Sequence, residues 1–227
     1  QAAADLCKVV TIAAGGNDAS VADQVIGMMI SLGRRFREAQ NAMLRDEWSI
    51  LVGTDLYQKT VGIIGLGRIG RRLAKRLTGF ETETLVHTPN LTEADQTALR
   101  LIESDLDTIF SEADYITIHA PLNAQTRHLV NALRLQQMKP TSFLINTARG
   151  QLIVESDLFD ALSNNKIAGA ALDVFETEPP TNTDLIKLKN LIATPHIGAQ
   201  IIEAQKEASI VIAQKIINFY LENKTTE

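Results

Sequence analysis

The sequence predicts an α/β fold, a doubly wound parallel sheet with helices on both faces, and three observations lead to it. Short apolar runs alternate with segments of helical spacing at short loop lengths, the pattern of parallel strands joined by crossover helices. The stretch TVGIIGLGRIG, residues 60–70, reads as an apolar strand that breaks at Gly65 and turns straight into a helix near Arg68 and Ile69. Hydrophobic residues make up 45% of the 227, enough for a full core.

Taken in order, the elements follow from spacing. Val21, Val25, Met28, Met29, Leu32 and Phe36 recur at helical intervals and predict one long helix from Ala19 to about Asp46, capped by Asp18 or Ser20. Its apolar face either meets another subunit or is buried within the chain. A loop with Gly53 and Asp55 leads to the strand and turn at 60–70, whose helix is amphipathic through Ile69, Leu73 and Leu77. Further strands are expected at 84–87, 115–119, 142–146, 168–172 and 191–193. Between them lie a polar connection over 90–104, a short helix over 106–111 and a helix over 155–164. Ile201, Ala204, Ala208, Ile212, Ile216 and Phe219 mark a C-terminal helix.

Gly65, Gly67 and Gly70 form a GxGxxG between strand and helix. In that context the first glycine permits the tight turn, the second lets a pyrophosphate approach the backbone, and the third lets helix and strand pack closely. The free N–H groups and positive dipole end of the helix complete an anion site. Ligands of such sheets gather at the carboxyl ends of the strands. The residues placed there are Gly65 to Ile69, Thr88, the His119 to Pro121 turn, Thr147, Arg149, Asp173, Glu178, and His196 to Gly198.

His196, in TPHIG, is the candidate general acid and base, because imidazole exchanges a proton readily near neutral pH. Glu178, held between DVFET and a pair of prolines, is its candidate carboxylate partner; a solvated loop carboxylate is the alternative. Arg149, directly after an apolar strand, offers a bidentate fork for a substrate carboxylate, or else a structural salt bridge. Asp173 either holds a polar ring of a cofactor or caps a loop.

With 22 basic against 27 acidic residues and no block of like charge, a nucleic-acid or membrane-surface partner is not indicated. Cys7 is the single cysteine, so neither an internal disulfide nor a cysteine metal cluster is expected, in keeping with a reducing cytoplasm. No apolar run reaches the length of a membrane span, and no signal-peptide pattern stands at the front.

The chain resembles the D-isomer-specific 2-hydroxyacid dehydrogenases. The resemblance rests on NDASVAD at 17–23, VGIIGLGRIG at 61–70, ADYITIHAPLNAQTRHLV at 113–130, MKPTSFLINTARGQLIVESDLFDAL at 138–162, AGAALDVFETEPP at 168–180 and TPHIGAQ at 194–200, in the family's order. It implies a Rossmann-type nucleotide-binding domain over 16–199, with 1–15 and 200–227 as connecting segments towards a largely absent substrate domain. It further implies Arg149, Glu178 and His196 as a catalytic triad acting on a 2-keto or D-2-hydroxy acid. Glu178 would keep His196 protonated, and Arg149 would bind the carboxylate. Gly65, Gly67, Arg68, Ile69 and Gly70 would meet the pyrophosphate and the His119 to Pro121 turn the adenine side. Thr88, Thr147, Asp173 and Gly198 complete the cofactor contacts, with Asp173 on the carboxamide of the nicotinamide. A homodimer through the helix starting near Ala19 is also implied.

One departure concerns the cofactor. The family commonly ends its second strand in an acidic residue that accepts from the ribose 2′-OH of NAD, and Thr88 stands at that position here. NADP therefore becomes admissible beside NAD, although no Arg or Lys stands in residues 85–99 to clasp a 2′-phosphate. Two other readings fit the same fold: a nucleotide-sensing binding protein, as the family's corepressors are, and a phosphite-type dehydrogenase. Glu178 favours the hydroxyacid branch over formate dehydrogenases, where glutamine typically replaces it.

Overall fold

A computed structural model describes residues 15–181 and 183–224, with side chains placed as far as 221. The amino-terminal connecting segment expected at 1–15, and Cys7 with it, falls outside the described residues except for Gly15.

Seven strands form one parallel sheet: β1 Thr60–Ile64, β2 Glu83–His87, β3 Leu101–Glu103, β4 Tyr115–Ile118, β5 Phe143–Asn146, β6 Gly169–Leu172 and β7 Leu191–Ala193. Their spatial order is β3-β2-β1-β4-β5-β6-β7. The chain therefore reverses its winding between β1 and β4, and the crevice above that reversal is where such folds hold ligands. Six strands coincide with the expected runs to within one residue.

Alternation of side chains gives the sheet two cores. Val61, Ile63, Val86, Ile145 and Ala171 pack against α1 (Asp18–Gly33) and α3 (Arg68–Leu77) through Val25, Met29, Leu73 and Leu77. Ile64, Ile116, Ile118, Leu144 and Leu172 pack on the other face against α5 (Leu106–Glu112), α6 (Ala132–Gln137) and α7 (Glu155–Ser163) through Ile109, Phe110, Leu135, Leu158 and Leu162. Both faces of each central strand are apolar because both are covered, which is why these strands read as continuous apolar runs.

Four expectations need correction. The long first helix is two: α1 ends at Gly33, and α2 (Phe36–Met43) starts after Arg35, whose φ is +54°. The break has a steric cause. The chain returning at Thr54 donates its N–H to the Gly33 carbonyl, and a Cβ on residue 33 would lie 2.5 Å from the Tyr115 hydroxyl. Neither Asp18 nor Ser20 caps α1; the N-cap is Asn17, without a side-chain bond, and Asp18 lies inside the first turn. The apolar face of α1 is buried within the chain at Val21, Val25, Met28, Met29 and Leu32, whereas Phe36 is exposed. The polar connection over 90–104 contains α4 (Glu93–Leu99) and edge strand β3. α4 buries no residue, so it has no apolar period to detect, and its signal is the Thr92 hydroxyl accepting from the Asp95 N–H. Two short helices were not expected, α6 and α8 (Thr183–Lys187); the expected C-terminal helix is present as α9 (Ile202–Lys224).

Candidate active site

The predicted site residues stand along one edge of the sheet, each just past a strand. At the end of β1 the chain turns at Gly65 with φ +99°, a conformation that favours glycine. A side chain there would also come within 2.7 Å of the Ala120 nitrogen and the His119 carbonyl carbon. Gly70 lies against the Gly65 carbonyl, which would be 2.4 Å from an added Cβ. Gly67 is different: a Cβ there meets nothing within 4 Å, so open space lies over the start of α3. The N-cap of α3 is Gly67 itself, which provides no side-chain bond to the first-turn N–H groups. Those donors, together with the open space, fit a pyrophosphate. The Arg68 side chain turns aside to Asp18, with Nε 3.0 Å from its carboxylate, and Ile69 is half-buried in the first turn.

Past β4, the His119 N–H donates to the Ile64 carbonyl, and the ring folds back so that Nε2 lies 3.0 Å from the Thr117 hydroxyl. Burial pushes this imidazole down to about 4. Pro121 is exposed at the rim, its carbonyl accepting from the Thr126 hydroxyl at 2.6 Å. Past β2, Thr88 is half-buried, and its hydroxyl faces the Asn90 N–H at 3.5 Å.

Past β5, Thr147 has a buried hydroxyl with no hydrogen-bond partner among the described residues. A buried hydroxyl left unpaired is costly, and a ligand group at this strand end would satisfy it. Asn146 fixes the following turn by donating to the Arg149 carbonyl at 2.9 Å and accepting from the Ala148 N–H at 3.0 Å. Arg149 is exposed, with Nη1 donating to its neighbour's carbonyl at 2.6 Å. Gly150 then packs directly on the chain past β6: a Cβ would sit 1.9 Å from the Phe175 carbonyl carbon. Gln151 adds a bond to the Glu176 carbonyl at 2.8 Å.

This contact brings the Arg149 turn to the Glu178 loop. Glu178 Oε2 lies 2.8 Å from His196 Nδ1, and Oε1 accepts the Phe175 N–H at 3.2 Å. The hydrogen bond to His196, above all, holds the Glu178 carboxyl below the usual range; burial opposes, while the Phe175 N–H and the charges of His196 and Arg149 assist. With an ionised carboxylate as acceptor, Nδ1–H donates, and Nε2 has no bond among the described residues. The sequence separates these two residues by 18 positions, and the structure makes them a pair.

The loop carrying His196 is itself anchored. Asp173, 1% exposed, accepts the Ile197 N–H at 2.9 Å, the Gly198 N–H at 3.0 Å and the Thr194 hydroxyl. Gln24 of α1 donates to the Thr194 hydroxyl oxygen at 3.3 Å. Both Asp173 oxygens and the Gly198 N–H are thus engaged within the chain, the loop-capping alternative of the two expected for Asp173, and what sequence reasoning missed is the part of Thr194 and Gln24. Gln24 and Thr194 are 170 residues apart, and no local pattern joins them. The strained φ of +54° at His196 is maintained by these bonds on either side of it. A separate cavity of about 850 Å³ lies at the opposite edge of the sheet, among Gly33, Gly53, Phe143, Ala168 and Asn190, away from this chemistry.

Comparison with known proteins agrees with the geometry. The family model for the NAD binding domain of D-isomer specific 2-hydroxyacid dehydrogenases matches residues 26–198. The chain is 38% identical over 220 residues to a D-3-phosphoglycerate dehydrogenase of Methanocaldococcus jannaschii, covering 95% of itself and 42% of that protein. It is 39% identical over 207 residues to a hydroxypyruvate reductase of Thermotoga maritima, covering 89% of itself and 67% of that protein. The D-lactate dehydrogenase of Lactobacillus jensenii, solved with NAD+, superposes with a TM-score of 0.86 at 25% identity, over 94% of this chain and 69% of that one. The chain thus spans less than half the length of the phosphoglycerate dehydrogenase.

Two measurements test the site's supports. Asp173→Ala leaves two N–H groups and a hydroxyl without their acceptor and is expected to cost about 3 kcal/mol or more in chemical denaturation; Thr194→Val, which removes the bonds to Asp173 and from Gln24, should cost about 2 kcal/mol. His119 has a folded pKa below its unfolded value, so the unfolded chain binds the extra proton. Its contribution is complete above about 6.5 and declines as pH falls towards about 4, by no more than ~1.4 kcal/mol per pH unit. Denaturation at pH 7 and pH 5 should show a smaller loss in His119→Gln than in the parent, and equal losses would reject this account.

Proposed function

Because the chain belongs to the NAD-binding domain family of the D-isomer specific 2-hydroxyacid dehydrogenases, we propose that it is the cofactor domain of an oxidoreductase interconverting small 2-keto and D-2-hydroxy acids. The observation that carries the reading is the His196–Glu178 pair at 2.8 Å, within the field of Arg149 and on the same sheet edge as the glycine turn. His196 Nε2 gives its proton to the keto oxygen in reduction and takes it back from the hydroxyl in oxidation. Glu178 orients the ring through Nδ1 and favours the imidazolium. Arg149 binds the substrate carboxylate as a planar fork. NADH, when bound, supplies the hydride.

The first-turn N–H groups of Arg68 and Ile69 hold the pyrophosphate over Gly65, Gly67 and Gly70. Thr88 lies at the adenosine ribose, the His119 to Pro121 turn at the adenine, and Thr147 at the nicotinamide end. Asp173 and Gly198 act there by holding the His196 loop in place. Substrates of this class include hydroxypyruvate and glyoxylate, named for relatives of the chain.

Residues 16–199 form the cofactor domain, and the segments on either side connect to a substrate domain. Two observations support this. Ile202, Ile210, Ile216 and Ile217 of α9 are exposed, and α9 passes Gly16 so closely that a Cβ there would lie 2.9 Å from the Ala208 nitrogen. The C-terminal segment therefore lies against the start of the cofactor domain. Among the described residues no helix is long and apolar enough to cross a membrane; the single cysteine of these 227 residues agrees with a reducing cytoplasm as the compartment. The protein pairs as a homodimer through α2 and the strip that follows it, where Trp48 is 86% and Ile50 90% exposed, instead of through the buried face of α1.

The test is made on the full-length protein with NADH and hydroxypyruvate or glyoxylate. His196→Gln should lower kcat by roughly 10²–10⁴-fold with NADH binding retained. Glu178→Gln should lower kcat with NADH binding retained, because the ring loses the carboxylate that orients it through Nδ1. A kcat equal to the parent's would make Glu178 structural, and no turnover of either acid would reject the substrate class. Light scattering should give a dimer that Trp48→Asp converts to a monomer; a monomeric parent would contradict the pairing.

A further inference from the structure

The sequence leaves cofactor choice undecided at Thr88, and the structure brings a cation to that place from elsewhere. The Gly65 N–H donates to the His87 carbonyl at 2.8 Å, so the loop past β2 begins directly beside the glycine turn. Its other end is Thr92, the N-cap of α4. Arg71, one turn into α3, spans these two points. Nη1 donates to the Leu66 carbonyl inside the glycine turn, while Nε and Nη2 bind the two Asp95 oxygens at 3.0 and 2.8 Å. Asp95 also accepts from the Thr92 hydroxyl at 2.9 Å. The guanidinium thus sits between the glycine turn and the far end of the loop that carries Thr88. In a GxGxxG fold this is the ribose edge, where a carboxylate accepts from the 2′-OH of NAD or an arginine accommodates the 2′-phosphate of NADP.

We infer that Asp95 selects the cofactor: by holding Arg71 in a bidentate pair it withholds the cation that a 2′-phosphate requires, so the chain prefers NAD although Thr88 supplies no repelling charge. The inference rests on the nucleotide site described above and concerns residues outside its usual contacts. Arg71 is 40% exposed and Asp95 17%, so the guanidinium is the more accessible member of the pair. The plainer alternative is a surface ion pair that only fastens α4 to α3 and adds little to stability. The two accounts differ in what happens when the carboxylate is neutralised. A mere fastener leaves both nucleotides equally affected. A selector releases Arg71 to a dianionic group and changes one of them.

Fluorescence titration with NADH and NADPH on the parent, Asp95→Asn, Arg71→Gln and the double variant decides between them. Asn keeps one oxygen for the Thr92 hydroxyl and the backbone N–H that α4 needs, while it removes the charge and the second acceptor that hold Arg71, and a thermal melt checks the fold. The parent should bind NADH more tightly than NADPH. Asp95→Asn should tighten NADPH by about tenfold or more, the scale of one charge-assisted hydrogen bond, with NADH little changed. The gain should disappear in the double variant and shrink as salt is raised. An unchanged NADH to NADPH ratio in folded Asp95→Asn, or a gain that survives the loss of Arg71, would overturn the inference and leave the nucleotide site standing. A folded parent that binds neither nucleotide would overturn both.

Discussion

The buried carboxylate of Asp173 is the constraint on which the proposed chemistry depends. It stands at the end of a central strand, where the sheet fixes its backbone, and it gathers three donors from the loop past β7. Without an acceptor the Gly198 N–H would be buried unpaired and the other two donors would lose their partner, which favours this one position of the loop. That position sets His196 in a left-handed backbone conformation and aims its Nδ1 at Glu178. The His–Glu pair is thus held by a carboxylate that neither residue touches.

The second support is an absence of atoms. Gly150 lies so close to the Phe175 carbonyl that no side chain can occupy the position, and this contact joins the turn past β5 to the loop past β6. Arg149 is thereby brought near enough to Glu178 for its charge to help hold the carboxyl ionised. Three strand ends converge through one close-packed backbone contact and one buried carboxylate. This arrangement keeps the reacting groups exposed while the groups that position them are covered, as a site that must admit substrate requires.

The same sheet edge shows how charge is managed away from the proposed reaction. Arg68 is directed to Asp18 and Arg71 to Asp95. Both arginines of the nucleotide turn therefore have carboxylate partners on neighbouring helices, and the open space above Gly67 is left to backbone N–H groups. A backbone cradle recognises a pyrophosphate without distinguishing one dinucleotide from another, so discrimination falls to the ribose edge.

The sequence by itself determined six of the seven strands, the doubly wound class and the residues at the strand ends. Two covered faces demand continuous apolar runs such as 61–64, and a GxGxxG between strand and helix permits few alternatives. His196, Glu178 and Arg149 were legible for the same reason, since strand ends are predictable once strands are. The break after Gly33 was not legible, because it is imposed by Thr54 and Tyr115 from distant parts of the chain. Helix α4 was hidden because it buries nothing, so that only its Thr92 cap could have announced it. Tertiary structure alone decided that Gln24 reaches Thr194 and that Arg71 is paired with Asp95 beside the glycine turn. Periodicity reports which face of an element is covered, whereas a hydrogen bond between residues far apart depends on where the fold brings their atoms.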